Sequence, residues 1–233
     1  MKAFLLAAGM GKRLRPLTDT VPKPLIKVAG VPLILRHIQR LKQAGVTEFV
    51  INTHWLAETL HEELGDGEDL GVQINWSHEE TLLETGGGIK KAMPLLGKDP
   101  FILVSADTWT DFDFQQLVSS PLSPDDVARL VLVDNPEHNR AGDFILQKVE
   151  PEAKYPNIRA PDGISTTHTY SGIALLDPEW ISSWQLGRAF ALREPLFTAI
   201  ENNRLSGLHH QGIWTDVGSM ERLQTIRNQL EVE

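Results

Sequence analysis

Hydrophobic and polar positions along the chain follow two different periods. Short apolar runs such as residues 3–8 are too brief for helices and predict buried strands. Other segments, such as 33–44, place apolar residues at Ile34, Ile38 and Leu41, a spacing typical of one helix face. Strands that alternate with helices predict an α/β fold, with a parallel or mixed sheet and right-handed crossovers.

The same two periods of apolar positions predict the remaining strands and helices. Strands are expected at 3–8, 49–52, 72–76, 101–105, 129–134 and 171–176, and a short strand or a loop is expected at 213–217. Residues 143–149 are expected to form one arm of an antiparallel hairpin. Helices are expected at 33–44, 55–64 (with Asn52 or Thr53 as N-cap), 89–96 after three glycines, 183–203 with an interruption at Pro195, and 219–230. Residues 151–163, rich in proline and charge, predict a loop.

Composition narrows the function classes. With 41% hydrophobic and 23% charged residues, the chain is typical of a globular protein, and its net charge of -9 without a basic run argues against nucleic acid as a partner. The absence of cysteine excludes disulfides, thiolate metal sites and a cysteine nucleophile. No signal peptide and no apolar stretch of about 18 residues is found, so we expect a cytoplasmic protein without membrane contact.

The first motif is LAAGMGKRLRPLT, residues 6–18, where the first predicted strand opens into a glycine-containing loop. Gly9 and Gly11 allow the backbone to approach a triphosphate and to point N–H groups at it. Arg13 can neutralise charge on the β- and γ-phosphates. Neither the P-loop nor the dinucleotide spacing is met, so this loop taken alone could equally be a tight turn with solvated arginines.

The second motif is PKPL, residues 22–25. Two prolines fix the backbone around Lys23 and limit the orientation of its side chain. A lysine held in this way can act as a point charge for an α-phosphate that gains negative charge in a transition state. Taken alone, the segment is better explained as a proline-rich loop with an exposed lysine.

Together the two motifs resemble the nucleotide-sugar pyrophosphorylase family. Four further segments resemble that family in the same order, namely LETGGG (83–88), AD (106–107), YSGI (170–173) and WTDVG (214–218). The resemblance implies a single Rossmann-like, GT-A-like nucleotidyltransferase domain over residues 1–233, with a mixed, mostly parallel central sheet. It also implies a nucleotide-binding half at about 1–113 and a sugar-binding half at about 114–233.

The resemblance implies roles for individual residues in the transfer of a nucleotidyl group to a sugar 1-phosphate. Arg13 is expected to act on the leaving pyrophosphate, Lys23 on the α-phosphate, and Asp107 and Asp216 on Mg²⁺. Nucleotide contacts are implied for Leu6, Ala7, Ala8, Gly9, Gly11, Lys12, Arg13, Lys23, Leu83, Gly86 and Asp107. Contacts to the sugar phosphate are implied for Glu84, Thr85, Gly86, Trp109, Ser171, Gly172, Arg193 and Asp216.

The residues themselves also indicate a metal. Asp107 follows a buried strand, so it is expected at the same sheet edge as the first glycine loop, where ligands of open α/β sheets bind. A carboxylate beside a phosphate repels it unless a cation lies between them, which implies Mg²⁺. Nearby Asp111 and Asp113 are better explained as turn or helix-capping residues.

Other candidates keep two interpretations. Arg193 either contacts the sugar phosphate or lies on a helix surface, and Trp109 either stacks on the sugar or packs in the core. Trp214 is expected to pack. The eight histidines show no metal-ligand spacing, and His209 and His210 receive no role.

The resemblance also bears on the substrates. The chain leaves no room for the C-terminal domain of longer family members, and its segments look most like members that join UTP to N-acetylmuramate 1-phosphate in peptidoglycan recycling. Guanylyl transfer to mannose 1-phosphate, or thymidylyl or uridylyl transfer to glucose 1-phosphate, is the alternative. A non-catalytic subunit that binds nucleotide sugars is a further class, but such subunits typically lose the equivalents of Arg13, Lys23 or Asp107.

Overall fold

A computed structural model of the protein describes residues 1–149 and 154–231. Its strands are β1 (Lys2–Leu6), β2 (Lys27–Val28), β3 (Val31–Pro32), β4 (Glu48–Thr53), β5 (Gln73–His78), β6 (Phe101–Ser105), β7 (Thr108–Thr110), β8 (Ala128–Val133), β9 (Phe144–Leu146), β10 (Ile158–Arg159), β11 (Thr167–Leu176), β12 (Leu205–His210) and β13 (Trp214–Asp216). Its α-helices are α1 (Leu33–Gln43), α2 (Ala57–Leu64), α3 (Glu84–Leu96), α4 (Gln115–Val118), α5 (Pro178–Ser182), α6 (Arg193–Glu201) and α7 (Met220–Glu231). None of these helices is long and apolar enough to span a bilayer.

One large sheet forms the centre of the fold. Strands β6, β1, β4 and β5 lie side by side and parallel. Strand β11 runs antiparallel to both β6 and β8, and β12 is parallel to β8. Short strands β9 and β10 extend the sheet beyond the start of β11. The predicted α/β class with a mixed, mostly parallel sheet is therefore confirmed.

Both faces of this sheet are covered, which explains the continuous apolar runs of β1 and β6. On one face, Leu5 and Val104 belong to the same core cluster as the apolar stripe of α1 and the buried residues of α2. On the other face, Phe4 and Leu103 belong to the cluster that includes buried residues of α3, α5 and α6. A third, smaller cluster packs α7 against the loop after β1 and against Trp109.

The helix predicted at 89–96 begins earlier, within the LETGGG segment. Helix α3 starts at Glu84, so Gly86, Gly87 and Gly88 lie inside it rather than before it. A Cβ atom on Gly86 would come 2.3 Å from the Phe190 ring, and one on Gly88 would come 2.6 Å from Glu79 Oε1. A Cβ on Gly87 would come 2.5 Å from the Arg188 carbonyl oxygen, so close packing rather than a turn requires all three glycines.

The long helix predicted at 183–203 is wrong. Helix α5 ends at Ser182, and α6 covers only Arg193–Glu201. The segment between them instead contacts α3, where Gly86 N donates to Phe190 O (2.9 Å). Pro195 does not interrupt a helix, because it lies in the first turn of α6, where the backbone N–H needs no helical acceptor.

Three smaller predictions also need correction. Helix α2 has Leu56, not Asn52 or Thr53, as its N-cap. Strand β12 was not predicted, because its sequence LSGLHH lacks a long apolar run. Within the predicted loop 151–163, residues 158–159 form β10, which pairs with β9 as expected for a hairpin, whereas residues 151–153 lie outside the described residues.

Candidate active site

The loop after β1 is held in place by side chains from other elements. Asn52 Oδ1, from β4, accepts a hydrogen bond from the Ala7 N–H (2.7 Å). Gly11 has a φ of +61°, and its carbonyl accepts from Thr18 Oγ1 (2.9 Å). A Cβ on Gly11 would lie 2.8 Å from Thr18 Cγ2, so glycine is needed here for both conformation and space. The first motif is therefore a fixed loop at the carboxyl end of β1.

Lys23 lies buried beside this loop and does not extend into solvent. It begins a 3₁₀ turn, Lys23–Leu25, whose flanking prolines restrict the backbone. Its Nζ forms an ion pair with Asp107 Oδ2. Asp107 directly follows β6 and Ala106. The structure therefore brings Lys23 of the PKPL segment next to Asp107 of the AD segment, although 84 residues separate them in the sequence.

The two predicted metal aspartates lie on paired chain segments. Strands β7 and β13 place Asp216 opposite Thr108, and the Val217 N–H donates to the carbonyl of Asp107 (2.9 Å). His37 Nε2 on α1 is 2.8 Å from the Thr108 carbonyl. Burial lowers the pKa of His37 to about 4, so the ring is neutral at pH 7 and donates its Nε2–H to that carbonyl. Helix α1 therefore supports the segment that carries Asp107.

The environment of Asp216 fits a divalent cation. Its Oδ2 lies 3.1 Å from Arg222 Nη2, and its Oδ1 lies 3.0 Å from His138 Nε2. The carboxylate is held between these two side chains, and its oxygens are the hard donors that Mg²⁺ prefers. Asp107 and Asp216 both line the same cavity, so this pair has suitable chemistry.

Two cavities meet at this edge of the sheet. The smaller, of about 210 Å³, is lined by Leu6, Ala7, Ala8, Gly9, Lys23, Pro24, Asn52, Glu79, Leu82, Glu84, Thr85, Ser105 and Asp107. The larger, of about 520 Å³, is lined by residues that include Leu6, Arg13, Thr85, Ser105, Asp107, His138, Asn139, Asp143, Tyr170, Ser171, Gly172, Arg193, Trp214, Asp216 and Arg222. Leu6, Thr85, Ser105 and Asp107 line both, so the two cavities adjoin along one shared wall.

Most of the residues predicted for the site line one of these cavities, and some do not. Among the described residues, those outside both linings are Gly11, Lys12, Leu83, Gly86 and Trp109. Gly86 packs against Phe190, and Trp109 lies in the core beneath the Arg36 guanidinium. Packing is thus the better interpretation for these two residues, while the other assigned roles remain predictions.

The neighbouring aspartates Asp111 and Asp113 serve other contacts. Asp111 Oδ1 lies 2.8 Å from His210 Nε2, and Asp113 Oδ1 accepts from the Gln115 N–H at the start of α4. Neither residue lines either of the two cavities described above. The interpretation of Asp113 as a helix-capping residue agrees with this contact.

Several cavity residues were missed by sequence reasoning. In the smaller cavity, buried Glu79 accepts from Asn52 Nδ2 (2.8 Å) and from the Leu83 N–H (3.0 Å). In the larger cavity, the Tyr170 hydroxyl is buried without a hydrogen-bond partner, and burial raises its pKa. Proximity to the LETGGG segment could have indicated Glu79. His138 and Arg222 carry no local signal, because only the fold brings them to Asp216.

Comparison with known proteins supports a single family. The model of the family described as nucleotidyl transferase matches residues 2–152. The chain is 45% identical to N-acetylmuramate alpha-1-phosphate uridylyltransferase of Neisseria meningitidis serogroup B, over 96% of each chain. It is 29% identical to the mannose-1-phosphate guanylyltransferase catalytic subunit beta of Xenopus tropicalis, over 94% of this chain and 61% of that one.

A solved structure gives independent support for the fold. UDP-glucose pyrophosphorylase complexed with UDP-glucose superposes with a TM-score of 0.80 at 19% identity, over 99% of this chain and 98% of that chain. At this identity the likeness concerns the fold alone. The family match spans well over half of the chain and includes β1, the glycine loop, Lys23 and Asp107. The chain therefore belongs to the nucleotidyl transferase family.

Proposed function

We propose that this protein transfers a uridylyl group from UTP to N-acetylmuramate 1-phosphate and releases pyrophosphate. The observation that carries the proposal is the junction of the two cavities at Asp107 and Lys23, with one cavity on each side. The smaller cavity, bounded by the glycine loop, is suited to the nucleotide. The larger cavity is suited to the sugar phosphate, so the α-phosphate would lie at the shared wall.

The residues act mainly by positioning and by neutralising charge. An oxygen of the sugar 1-phosphate attacks the α-phosphorus in line, a new P–O bond forms, and the bond to the β-phosphate oxygen breaks as pyrophosphate leaves. The attacking phosphate is already ionised at neutral pH, so no general base is needed. Lys23 stabilises the α-phosphate, and Arg13 stabilises the departing pyrophosphate.

Asp107 and Asp216 would hold Mg²⁺, which supplies further neutralisation of phosphate charge when bound. Lys23 Nζ already contacts Asp107 Oδ2, so both groups stand at the point where the α-phosphate is proposed to lie. Arg222 holds the Asp216 carboxylate from its other oxygen. Because the proposed reaction consumes a nucleoside triphosphate, we expect the protein to act in the cytoplasm.

The larger cavity also holds a cation for the sugar phosphate. Of the three arginines that line it, Arg13 is assigned to pyrophosphate and Arg222 pairs with Asp216, which leaves Arg193 for the phosphate of the sugar. The 45% identical relative, which is named for N-acetylmuramate 1-phosphate, favours that sugar phosphate as the substrate.

Guanylyl transfer to mannose 1-phosphate is the second candidate. The 29% identical relative has that activity in its name. Buried Glu79 in the smaller cavity can accept an N–H from uracil or from guanine, so its chemistry alone does not separate the two bases. The triphosphate that is consumed separates them directly.

The test is pyrophosphate release with Mg²⁺, measured for each of UTP, dTTP, GTP, CTP and ATP against N-acetylmuramate, N-acetylglucosamine, glucose and mannose 1-phosphates. We expect turnover with UTP and N-acetylmuramate 1-phosphate to exceed every other pair. Preference for another pair would discard these substrates and keep the reaction class. Failure of folded protein to react with any pair would overturn nucleotidyl transfer and favour a non-catalytic nucleotide-sugar-binding subunit.

A further inference from the structure

Three potential metal ligands cluster outside the site described above. They are Asp134, His168 and His209, and one ligand atom from each lies within 4.8 Å of the others. Asp134 directly follows β8, His168 lies in β11, and His209 lies in β12. None of the three lines either cavity of the candidate active site.

The sheet itself brings these three residues together. Strand β8 lies between β11 and β12, with Thr169 of β11 opposite Val133 and His209 of β12 opposite Leu132. Asp134 follows Val133, and His168 precedes Thr169 on the antiparallel strand. Strand hydrogen bonds therefore hold both histidine backbones in place before any ligand binds, which reduces the entropy cost of binding.

The side-chain contacts leave one buried ring nitrogen of this cluster available to a ligand. His209 Nε2 is 2.8 Å from Asp134 Oδ1, and the two imidazole rings lie 4.5 Å apart at 69°. His168 Nδ1 is buried and has no hydrogen-bond partner. Burial, followed by the neighbouring His209, lowers the pKa of His168. A buried ring nitrogen without a partner is costly unless a donor or a metal completes it.

We propose that Asp134, His168 and His209 bind one divalent transition-metal ion of the Zn²⁺ type, separate from the catalytic Mg²⁺. Two imidazoles and one carboxylate are ligands that suit Zn²⁺, Co²⁺ or Ni²⁺, whereas Mg²⁺ prefers oxygen ligands. Three protein ligands leave the fourth tetrahedral position to water. The Asp134 side chain is 79% exposed, which gives the ion an approach from solvent.

Binding requires only a small adjustment. Ligands about 2.0–2.1 Å from a tetrahedral ion lie roughly 3.3 Å apart. The three ligand atoms lie within 4.8 Å of one another, so no gap between them has to close by more than about 1.5 Å. The exposed Asp134 side chain can exchange its contact with His209 for the ion, because it extends beyond the end of β8. The histidine backbones can stay in their strand register.

The ion would join three strands behind one wall of the larger cavity. Thr169, the residue after His168, lines that cavity, and so do His138 and Asn139 a few residues beyond Asp134. Zn²⁺ should therefore raise thermal stability by binding the folded state in preference to the unfolded one. Catalysis does not require the ion, because the three ligands do not reach the cavities.

The test uses full-length protein without an affinity tag, stripped with a chelator and kept in excess Mg²⁺ to occupy the catalytic aspartates. Zn²⁺ is titrated by calorimetry, Co²⁺ by its visible absorption bands, and melting temperature is recorded with and without Zn²⁺. We expect one ion per chain, a tetrahedral Co²⁺ spectrum and a higher melting temperature. Changes to groups behind a metal ligand cost about 10–100-fold in affinity, so losing a ligand in His168→Ala or His209→Ala should cost at least about 100-fold.

Controls separate this site from other binding. His210→Ala removes the neighbouring histidine, which contacts Asp111 instead, and should bind Zn²⁺ as the parent does. Asp107→Asn tests the catalytic carboxylate and should also leave Zn²⁺ binding unchanged. Asp134→Asn, at an exposed position, serves if a histidine variant fails to fold. Absence of a one-to-one complex, or equal affinity in the parent and a folded ligand variant, would overturn the proposal.

Discussion

The two cavities of the active site are built in different ways. The smaller cavity takes all of its lining from residues 6–107, and much of it comes from contiguous segments around the glycine loop, Lys23 and the LET sequence. The larger cavity takes its lining from Leu6 through to Arg222, and many of these residues are isolated in the sequence. A local motif can therefore define the first cavity, whereas only the folded chain assembles the second.

The cavities also differ in how their polar groups are satisfied. In the smaller one, Asn52 joins the Ala7 N–H to Glu79, and Glu79 also accepts from the Leu83 N–H. In the larger one, the Tyr170 hydroxyl is buried without a hydrogen-bond partner among the described residues. An unsatisfied buried polar group costs about 1–3 kcal/mol. The polar groups of the smaller cavity are thus paired within the protein, whereas the larger cavity contains a hydroxyl that is available to a ligand.

The largest effect is expected where the cavities share a wall. Asp107→Asn removes the carboxylate charge with little change in shape, so kcat should fall by at least about 10²–10³-fold, as for other losses of transition-state electrostatics. Asp113→Asn is the matched control, because Asp113 only accepts from the Gln115 N–H and lines neither cavity. Steady-state pyrophosphate release measures both. Similar rates for the two variants would contradict a role for Asp107.

The second effect concerns the support of that wall by His37. The pKa of His37 is lowered by burial from 6.5 to about 4, so below pH 6.5 the unfolded chain binds a proton that the folded chain does not. Stability should fall as pH decreases from 6.5 towards 4, by about 3 kcal/mol in total from this group. Nearby Asp107 opposes this shift and Arg36 reinforces it.

His37→Gln separates this contribution from the other titrating groups. Glutamine can still donate an N–H to the Thr108 carbonyl but does not titrate. Urea unfolding between pH 4 and pH 7.5 should therefore show a shallower pH dependence for His37→Gln than for the parent chain. Parallel curves would show that His37 titrates normally in the fold.

The third effect is a weaker affinity for the sugar 1-phosphate, caused by a substitution in the larger cavity alone. Arg193→Ala should raise KM for the sugar 1-phosphate by about tenfold, the scale of one charge-assisted hydrogen bond, and leave KM for UTP unchanged. Arg188→Ala is the control, since Arg188 pairs with Glu194 (3.1 Å) and lines neither of the two cavities. An equal rise in KM for the sugar 1-phosphate and in KM for UTP would contradict a role of Arg193 in sugar binding alone.

The smallest effect is expected on kcat/KM for UTP, from a substitution in the smaller cavity alone. Glu79→Gln keeps a carbonyl oxygen for the Asn52 or Leu83 contact but loses the charge, so kcat/KM for UTP should fall severalfold while KM for the sugar phosphate stays constant. Exposed Glu80→Gln should match the parent chain. Kinetics with UTP and GTP then show whether base preference changes. A change in sugar KM instead would contradict the separation of the two cavities.

Sequence reasoning failed where long-range packing decided the local structure. The three glycines 86–88 resembled a turn before a helix, yet they lie within α3, where Phe190, Arg188 and Glu79 leave no room for a Cβ atom. Residues 183–192 have helical composition but instead supply Phe190 to that contact. Asn52 resembled an N-cap, but its amide holds the glycine loop through Ala7. Of these partners, only Glu79 lies nearby in the sequence.

The sequence by itself determined the α/β class, the central strands and the resemblance that identified the family. These features depend on local apolar runs, on prolines that fix Lys23, and on glycines that free one loop, so each is set by neighbours along the chain. Only the tertiary structure decided that His138 and Arg222 flank Asp216, and that Asp134, His168 and His209 meet. Those groups come from segments far apart in sequence, and only the packing of strands, helices and loops in the folded chain determines their distances.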